Sequence, residues 1–254
     1  MLYFIYGIAG LTGGILIGMG GLTAAMVLTP ILSGACGWGG YDAVTMSLIA
    51  NVPSAIVTSW TYYKNGNVDL RQGRAVAVSA FAGAVVGSYL GYLFSQVSEN
   101  GISYLVIVGN LFMAVKFFRP GKAARTASQD TEKPHRTLAA VILSFLIGAE
   151  CGFMGSAGGV MMLMVLTLVL GMSTKAAVGT GSVVMTLVAL TGAASHVMMG
   201  AEIQLLPCAV ITAACTAGAV VSAKFANRTS DRVMNVCAGI MLVAVSAVSL
   251  LMNR

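Results

Sequence analysis

The chain has 254 residues, 57% of them hydrophobic and only 9% charged, with 14 Lys and Arg against 8 Asp and Glu for a formal net charge of +6. Soluble domains carry about 25% charged residues, so the composition excludes an ordinary soluble domain and removes nucleic acid as the reason for the positive charge. Five cysteines show no zinc spacing, and all but Cys36 fall inside apolar runs, which excludes a disulfide framework or a cysteine metal site as the organising feature.

Apolar segments follow one another almost from end to end. The first covers 2–34 and has no basic residue ahead of it, so it reads as a membrane segment and not as a cleaved leader. Its 33 residues would make a straight helix of about 50 Å against a hydrocarbon core of about 30 Å. A break at Gly18, Gly20 and Gly21, with Thr23 beside it, would divide it into two arms of roughly 15 residues each. The second segment, 43–63, carries Ser47 and, one turn later, Asn51 ahead of Pro53. The third, 74–95, holds Gly83, Gly87 and Gly91 at the four-residue spacing that lets membrane helices approach closely. The fourth is 101–118.

Residues 119–136, RPGKAARTASQDTEKPHR, are polar and charged with two prolines, and read as a linker outside the membrane. The segment 137–171 is again over-long. It contains Gly155, Gly158 and Gly159 with Ser156 among them, and Glu150, the only acidic residue deep in an apolar run. The segment 176–199 carries Thr180, Ser182 and His196, and 203–226 and 233–252 complete the chain. His196, near a segment end, reads as an interfacial residue. Tyr3, Tyr6, Trp60, Tyr62, Tyr63 and Tyr104 likewise read as interfacial anchors.

The two halves are copies. Gly14–Leu32 returns 138 positions later as Gly152–Leu170 and agrees at 8 of 19 positions, including Gly20-Gly21 with Gly158-Gly159 and the run Met26–Thr29 with Met164–Thr167. Ala43-Val44 matches Ala177-Val178, and Gly83–Val86 matches Gly218–Val221. If every segment crossed once, the basic residues would divide 10 to 4 between the two sides. If the two glycine-broken segments dip in and return, or cross twice as short helices, 13 fall on one side and Arg254 alone on the other. The positive-inside rule favours the second count, which also requires the halves to be inverted relative to each other.

A helix that restarts after a break points free N–H groups and a positive dipole end at it. Two such ends brought together would make an anion site near mid-membrane. Gly18, Gly20, Gly21, Thr23, Ser47, Asn51, Gly155, Ser156, Gly158, Gly159, Thr180 and Ser182 are the expected substrate-binding residues. An ionisable residue inside a membrane segment often relays protons, and Glu150 is the expected proton-coupling residue, with a permanently protonated, hydrogen-bonded acid as the other reading.

The pattern Gly18-x-Gly20-Gly21 followed by Thr29-Pro30-Ile31-Leu32 resembles the glycine-rich signature of the sulfite exporter TauE/SafE family, the toluenesulfonate uptake permeases. So does the second copy, running from Gly148 through Gly152, Gly155 and Gly158 to Gly159, and Ala177–Ser182 resembles the family's A-V-G-T-S stretch. The sequence departs from the pattern at Leu168, where a proline is usual, at Leu22 and Val160, and by the extra Gly181. The resemblance implies transport of sulfur-containing anions, such as sulfite or organosulfonates, across the bacterial inner membrane.

An enzyme is not expected. Ser182 and His196 are 14 residues apart, about 21 Å along a helix, whereas a nucleophile and its base need about 3 Å. The expected fold is all-α and polytopic, built from two inverted repeats (1–118 and 137–254) around a cytoplasmic linker (119–136), each repeat having a broken first segment and three transmembrane helices. The expected function is a secondary transporter for a small sulfur-containing anion, with a passive anion channel as the alternative. No cofactor or metal is expected. The partners are a small anionic substrate and the lipid bilayer, with homodimerisation left open, and both termini are expected in the periplasm.

Overall fold

The computed structural model describes residues 2–98, 134–155 and 158–229, with single positions between 101 and 108 and residue 240. Every regular element among them is helical: α1 (Leu2–Gly20), α2 (Ala25–Cys36), α3 (Gly40–Lys64), α4 (Leu70–Ser95), α5 (Pro134–Met154), α6 (Gly158–Met164, continued by a π-turn over Val165–Val169), α7 (Thr174–Met198) and α8 (Leu205–Arg228). Six of these are long and apolar enough to cross a membrane, while α2 and α6 are shorter. Most of the expected segments at 101–118 and 233–252, most of the linker and Tyr104 lie outside the described residues.

Local chemistry sets the helix starts. Asp69 accepts from the backbone N–H groups of Arg71 and Gln72 at 3.0 and 3.2 Å and opens α4, and Ser173 accepts from Ala176 N–H and opens α7. Such caps satisfy donors that a helix start otherwise leaves bare. Both over-long segments break, but one break is later than expected. The helix runs through Gly18 and ends at Gly20, so the arms hold 19 and 12 residues. The reversal falls on Gly21 (φ +63°) and, in the second half, on Gly155 (φ +68°). These left-handed values suit glycine, which lacks the Cβ that would clash.

Each broken segment folds back on itself. Tyr6 near the start of α1 packs edge-on against Trp38 just past α2, with ring centroids 6.2 Å apart. In the second half Gly158 of α6 faces Cys151 of α5, and further along Ser144 of α5 lies 4.0 Å from the Met162 sulfur of α6. Both therefore double back as helical hairpins.

Close packing gives the direction of the remaining helices. Gly10, Gly14 and Gly18 of α1 lie on Ile211, Cys215 and Ala219 of α8, so these helices run the same way. Gly83, Gly87 and Gly91 of α4 lie on Phe145, Ala149 and Phe153 of α5, also in the same direction. A methyl group at Gly14 or Gly87 would run into the Cys215 or Ala149 carbonyl. Small residues that let backbones touch supply the dispersion contact that holds membrane helices together. Helices α3 and α7 run in opposite directions, since Tyr62 meets Gly179 and Leu48 meets Gly192. The first helix of each half thus packs on the last described helix of the other half, and these are the two most extensive helix pairs.

The charges sort with these directions. The end of α3 (Lys64), the starts of α4, α5 and α7 (Arg71, Arg74, Arg136, Lys175) and the end of α8 (Lys224, Arg228) share one end of the bundle. Asn67 donates to the Asn227 side-chain carbonyl at 3.2 Å there, and the Lys175 ammonium donates to the Asn227 backbone carbonyl at 2.9 Å. At the opposite end Asp42 accepts from Glu202 N–H at 2.9 Å. The outer faces of α4 and α5 expose Val78, Phe81, Tyr89 and Leu90, and Leu138, Ile142 and Leu146, an apolar surface suited to lipid.

Candidate functional site at the two helix breaks

The two hairpins point in opposite directions, and their returning limbs begin side by side. A Cβ on Gly159 would meet the Gly21 carbonyl, and 2.8 Å away the Leu22 Cα. One on Gly155 would meet Ala25 Cβ and Val44 Cγ1, each at 3.1 Å. Gly21 itself packs on Val178. The sequence placed Gly21, Gly155, Gly158 and Gly159 together, and the fold brings them together. Ser156 lies outside the described residues.

The first break is lined by buried polar groups. The Asn51 side-chain carbonyl accepts from Ala24 N–H at 3.1 Å and so occupies a donor at the start of α2. Four residues earlier on α3, Ser47 donates to the Ala43 carbonyl at 2.7 Å and stands 3.3 Å from the Thr29 hydroxyl. Thr23, Thr29, Ser47 and Asn51 are all almost fully buried. Thr29 was missed in the sequence, although Met26–Thr29 belongs to the repeated run.

Other expected residues take different places. Gly18 faces α8, against Ser222 and Ala219, as a packing position; Gly20 closes α1. Thr180 accepts from Asp69 N–H at 2.9 Å and so ties α7 to the start of α4. Ser182 donates to the Val178 carbonyl of its own helix at 2.8 Å, a bond that hydroxyls commonly make within helices. Glu150 sits on α5 just before the break, with a carboxylate oxygen 3.6 Å from where a Gly158 side chain would begin.

Three aromatic assignments from the sequence are overturned. His196 is fully buried and not interfacial: Nε2 lies 2.8 Å from the Gly152 carbonyl, Nδ1 lies 2.9 Å from the Thr45 hydroxyl, and the ring stacks on Tyr41 at 4.4 Å. Tyr62 is fully buried, and Tyr6 is 4% exposed. Each faces a neighbouring helix, and position along the chain does not reveal which way a side chain at a segment end points. Tyr3, Trp60 and Tyr63 are exposed, as expected of anchors.

Comparison with known proteins agrees with this architecture. The family model described as Sulfite exporter TauE/SafE matches residues 6–249. The chain is 24% identical over 208 residues to the probable membrane transporter protein YunE of Bacillus subtilis (strain 168), with 76% of each chain covered. No solved structure matches. A match over nearly the whole length, on an all-helical chain with membrane-spanning helices and paired glycine breaks, places this chain in the sulfite exporter TauE/SafE family of membrane transporters.

Proposed function

We propose that the protein is a secondary carrier for a small sulfur-containing anion such as sulfite, thiosulfate or an organosulfonate. The substrate is held where the two breaks adjoin. The observation that carries this reading is the contact of Gly159 with Gly21 and Leu22, which sets the starts of the two returning helices side by side in the interior. Helix starts favour negative charge, and no Lys or Arg occurs in either broken segment between 2 and 34 or between 137 and 171. An anion held by dipoles and hydroxyls alone is bound weakly enough to leave, as a carrier requires. Gly21, Thr23, Ser47, Asn51, Gly155, Ser156, Gly158 and Gly159 form the binding region in this proposal. Gly18, Gly20, Thr180 and Ser182 support it.

The halves, 1–118 and 137–254, act as inverted repeats that rock about this region. The opposed directions of α3 and α7 and the exchange of packing partners between halves support that reading. The basic end of the bundle, with the linker 119–136, faces the cytoplasm of a bacterial inner membrane and both termini face the periplasm, because cytoplasmic loops carry the excess of Lys and Arg. Glu150 exchanges a proton during the cycle.

The test is flux in proteoliposomes with labelled sulfite, thiosulfate and organosulfonates. Saturable uptake of one of them, driven uphill by a proton gradient, supports a carrier. Linear flux that ignores the gradient would identify the alternative, a passive anion channel.

A further inference from the structure

When the copies are aligned on Ala43-Val44 and Ala177-Val178, Tyr62 and His196 occupy the same position. One is a phenol, the other an imidazole, and both are fully buried in the last turns of α3 and α7. Their polar atoms do the same thing. The Tyr62 hydroxyl donates to the Gly18 carbonyl at 3.4 Å, and His196 Nε2 meets the Gly152 carbonyl at 2.8 Å. A carbonyl only accepts, so Nε2 carries the proton, while Nδ1 lies 2.9 Å from a Thr45 hydroxyl that also bonds the Tyr41 carbonyl at 2.9 Å.

The two carbonyls stand at the same distance from the two reversals, although the repeat of the glycine segments itself sets Gly152 against Gly14. Gly18 lies three residues before Gly21, and Gly152 three before Gly155, the left-handed glycines at which the helices reverse. At each reversal the glycine N–H closes the last regular bond, to Ile17 at 2.9 Å and to Cys151 at 2.7 Å. The Gly18 and Gly152 carbonyls come next. They lie among the last carbonyls of their helices, whose ladder partners would fall beyond the helix end, and in the interior of a membrane protein carbonyls at such an end call for further donors. Each half supplies that donor from the same register.

We propose that Tyr62 and His196 are matched positioning residues, each fixing the angle at which one broken helix ends and so holding the two hairpin tips against each other. Tyr62 serves the tip that points toward the basic end, and His196 the tip that points away from it. Their influence on substrate handling rests on the carrier reading above, but their effect on the breaks does not.

The experiment therefore has two readouts on the full-length protein: amide hydrogen exchange by mass spectrometry, and saturable sulfite flux in proteoliposomes. Tyr62→Phe removes one hydroxyl. Loss of one hydrogen bond should speed exchange about five-fold across residues 19–26 while 153–160 keep their wild-type rates. His196→Leu should do the reverse. His196→Gln restores an N–H near the place of Nε2 and should return exchange at 153–160 most of the way to wild type. Both damaging variants should raise the KM for sulfite several-fold with a smaller change in maximal rate. Faster exchange throughout the bundle, or none at either break, would overturn the assignment, as would a His196→Gln protein no better than His196→Leu. Local exchange changes in a protein whose wild type carries none of sulfite, thiosulfate and the organosulfonates would instead sink the carrier reading and leave the positioning role standing.

Discussion

Helices α3 and α7 occupy equivalent places in the two halves, cross each other in opposite directions and have the same length, yet their buried faces differ in chemistry. On α3, Ser47, Asn51, Ser54 and Thr58 form a buried polar stripe at spacings of four, three and four residues. The positions that match them on α7 are Gly181, Met185, Val188 and Gly192, also buried and without a polar side chain. Duplication preserved the packing and let the chemistry diverge. Asn51 can fill a donor at the start of α2, and Met185 offers nothing comparable to the start of α6. The two hairpins differ further along: α2 carries Pro30, whereas α6 relaxes into a π-turn closed by the Leu170 N–H to Val165 carbonyl bond at 3.1 Å. Both devices interrupt regular helix bonding in the returning limb, by different means.

The largest effect expected from disturbing this arrangement comes at the contact the two halves share. Gly159→Val should cost about 3 kcal/mol or more through overpacking against backbone that cannot rotate away, and should show as loss of monodisperse protein in detergent. Next is Asn51→Leu, which leaves Ala24 N–H without its acceptor. A stability loss of about 1–3 kcal/mol is expected, together with at least a tenfold fall in sulfite flux. The matching change Met185→Leu conserves volume and should cost less than about 1.5 kcal/mol. Equal effects at 51 and 185 would erase the distinction drawn between the halves.

Under the proposed proton coupling, Glu150→Gln should flatten the pH dependence of flux while flux itself persists. Unchanged pH dependence would remove Glu150 from proton coupling. The smallest change expected is from Ser54→Ala. Its hydroxyl bonds the Ala50 carbonyl of its own helix at 2.8 Å, a carbonyl already served by the ladder, so thermal stability should move by no more than about 0.5 kcal/mol.

Much of the fold was legible because membrane segments announce themselves by length and apolar content, and because repetition marks which glycines are special. Gly21, Gly155 and Gly159 were found that way, and so were Ser47 and Asn51, which follow the first break. Gly18 was not separable from them, since its packing partner lies some 200 residues away on α8 and no local spacing reports it. Thr180 stands in a motif, yet its hydroxyl serves the loop before α4. Tyr62 and His196 were visible as a matched pair, but aromatic residues near segment ends are so often anchors that the pairing carried no weight until the buried carbonyls were seen.

The exchange of partners between halves bears on how the molecule is made. Helix α1 is synthesised well before α8, the surface that Gly10, Gly14 and Gly18 press against. Until α8 is made, the glycine stripe of α1 must rest on lipid or on a temporary neighbour, although the hairpin it begins can already dock on α3 through Asn51 and Ser47. Assembly must therefore close around α1 at a late stage, which makes Leu205–Arg228 decisive for whether α1 ever reaches its proper seat.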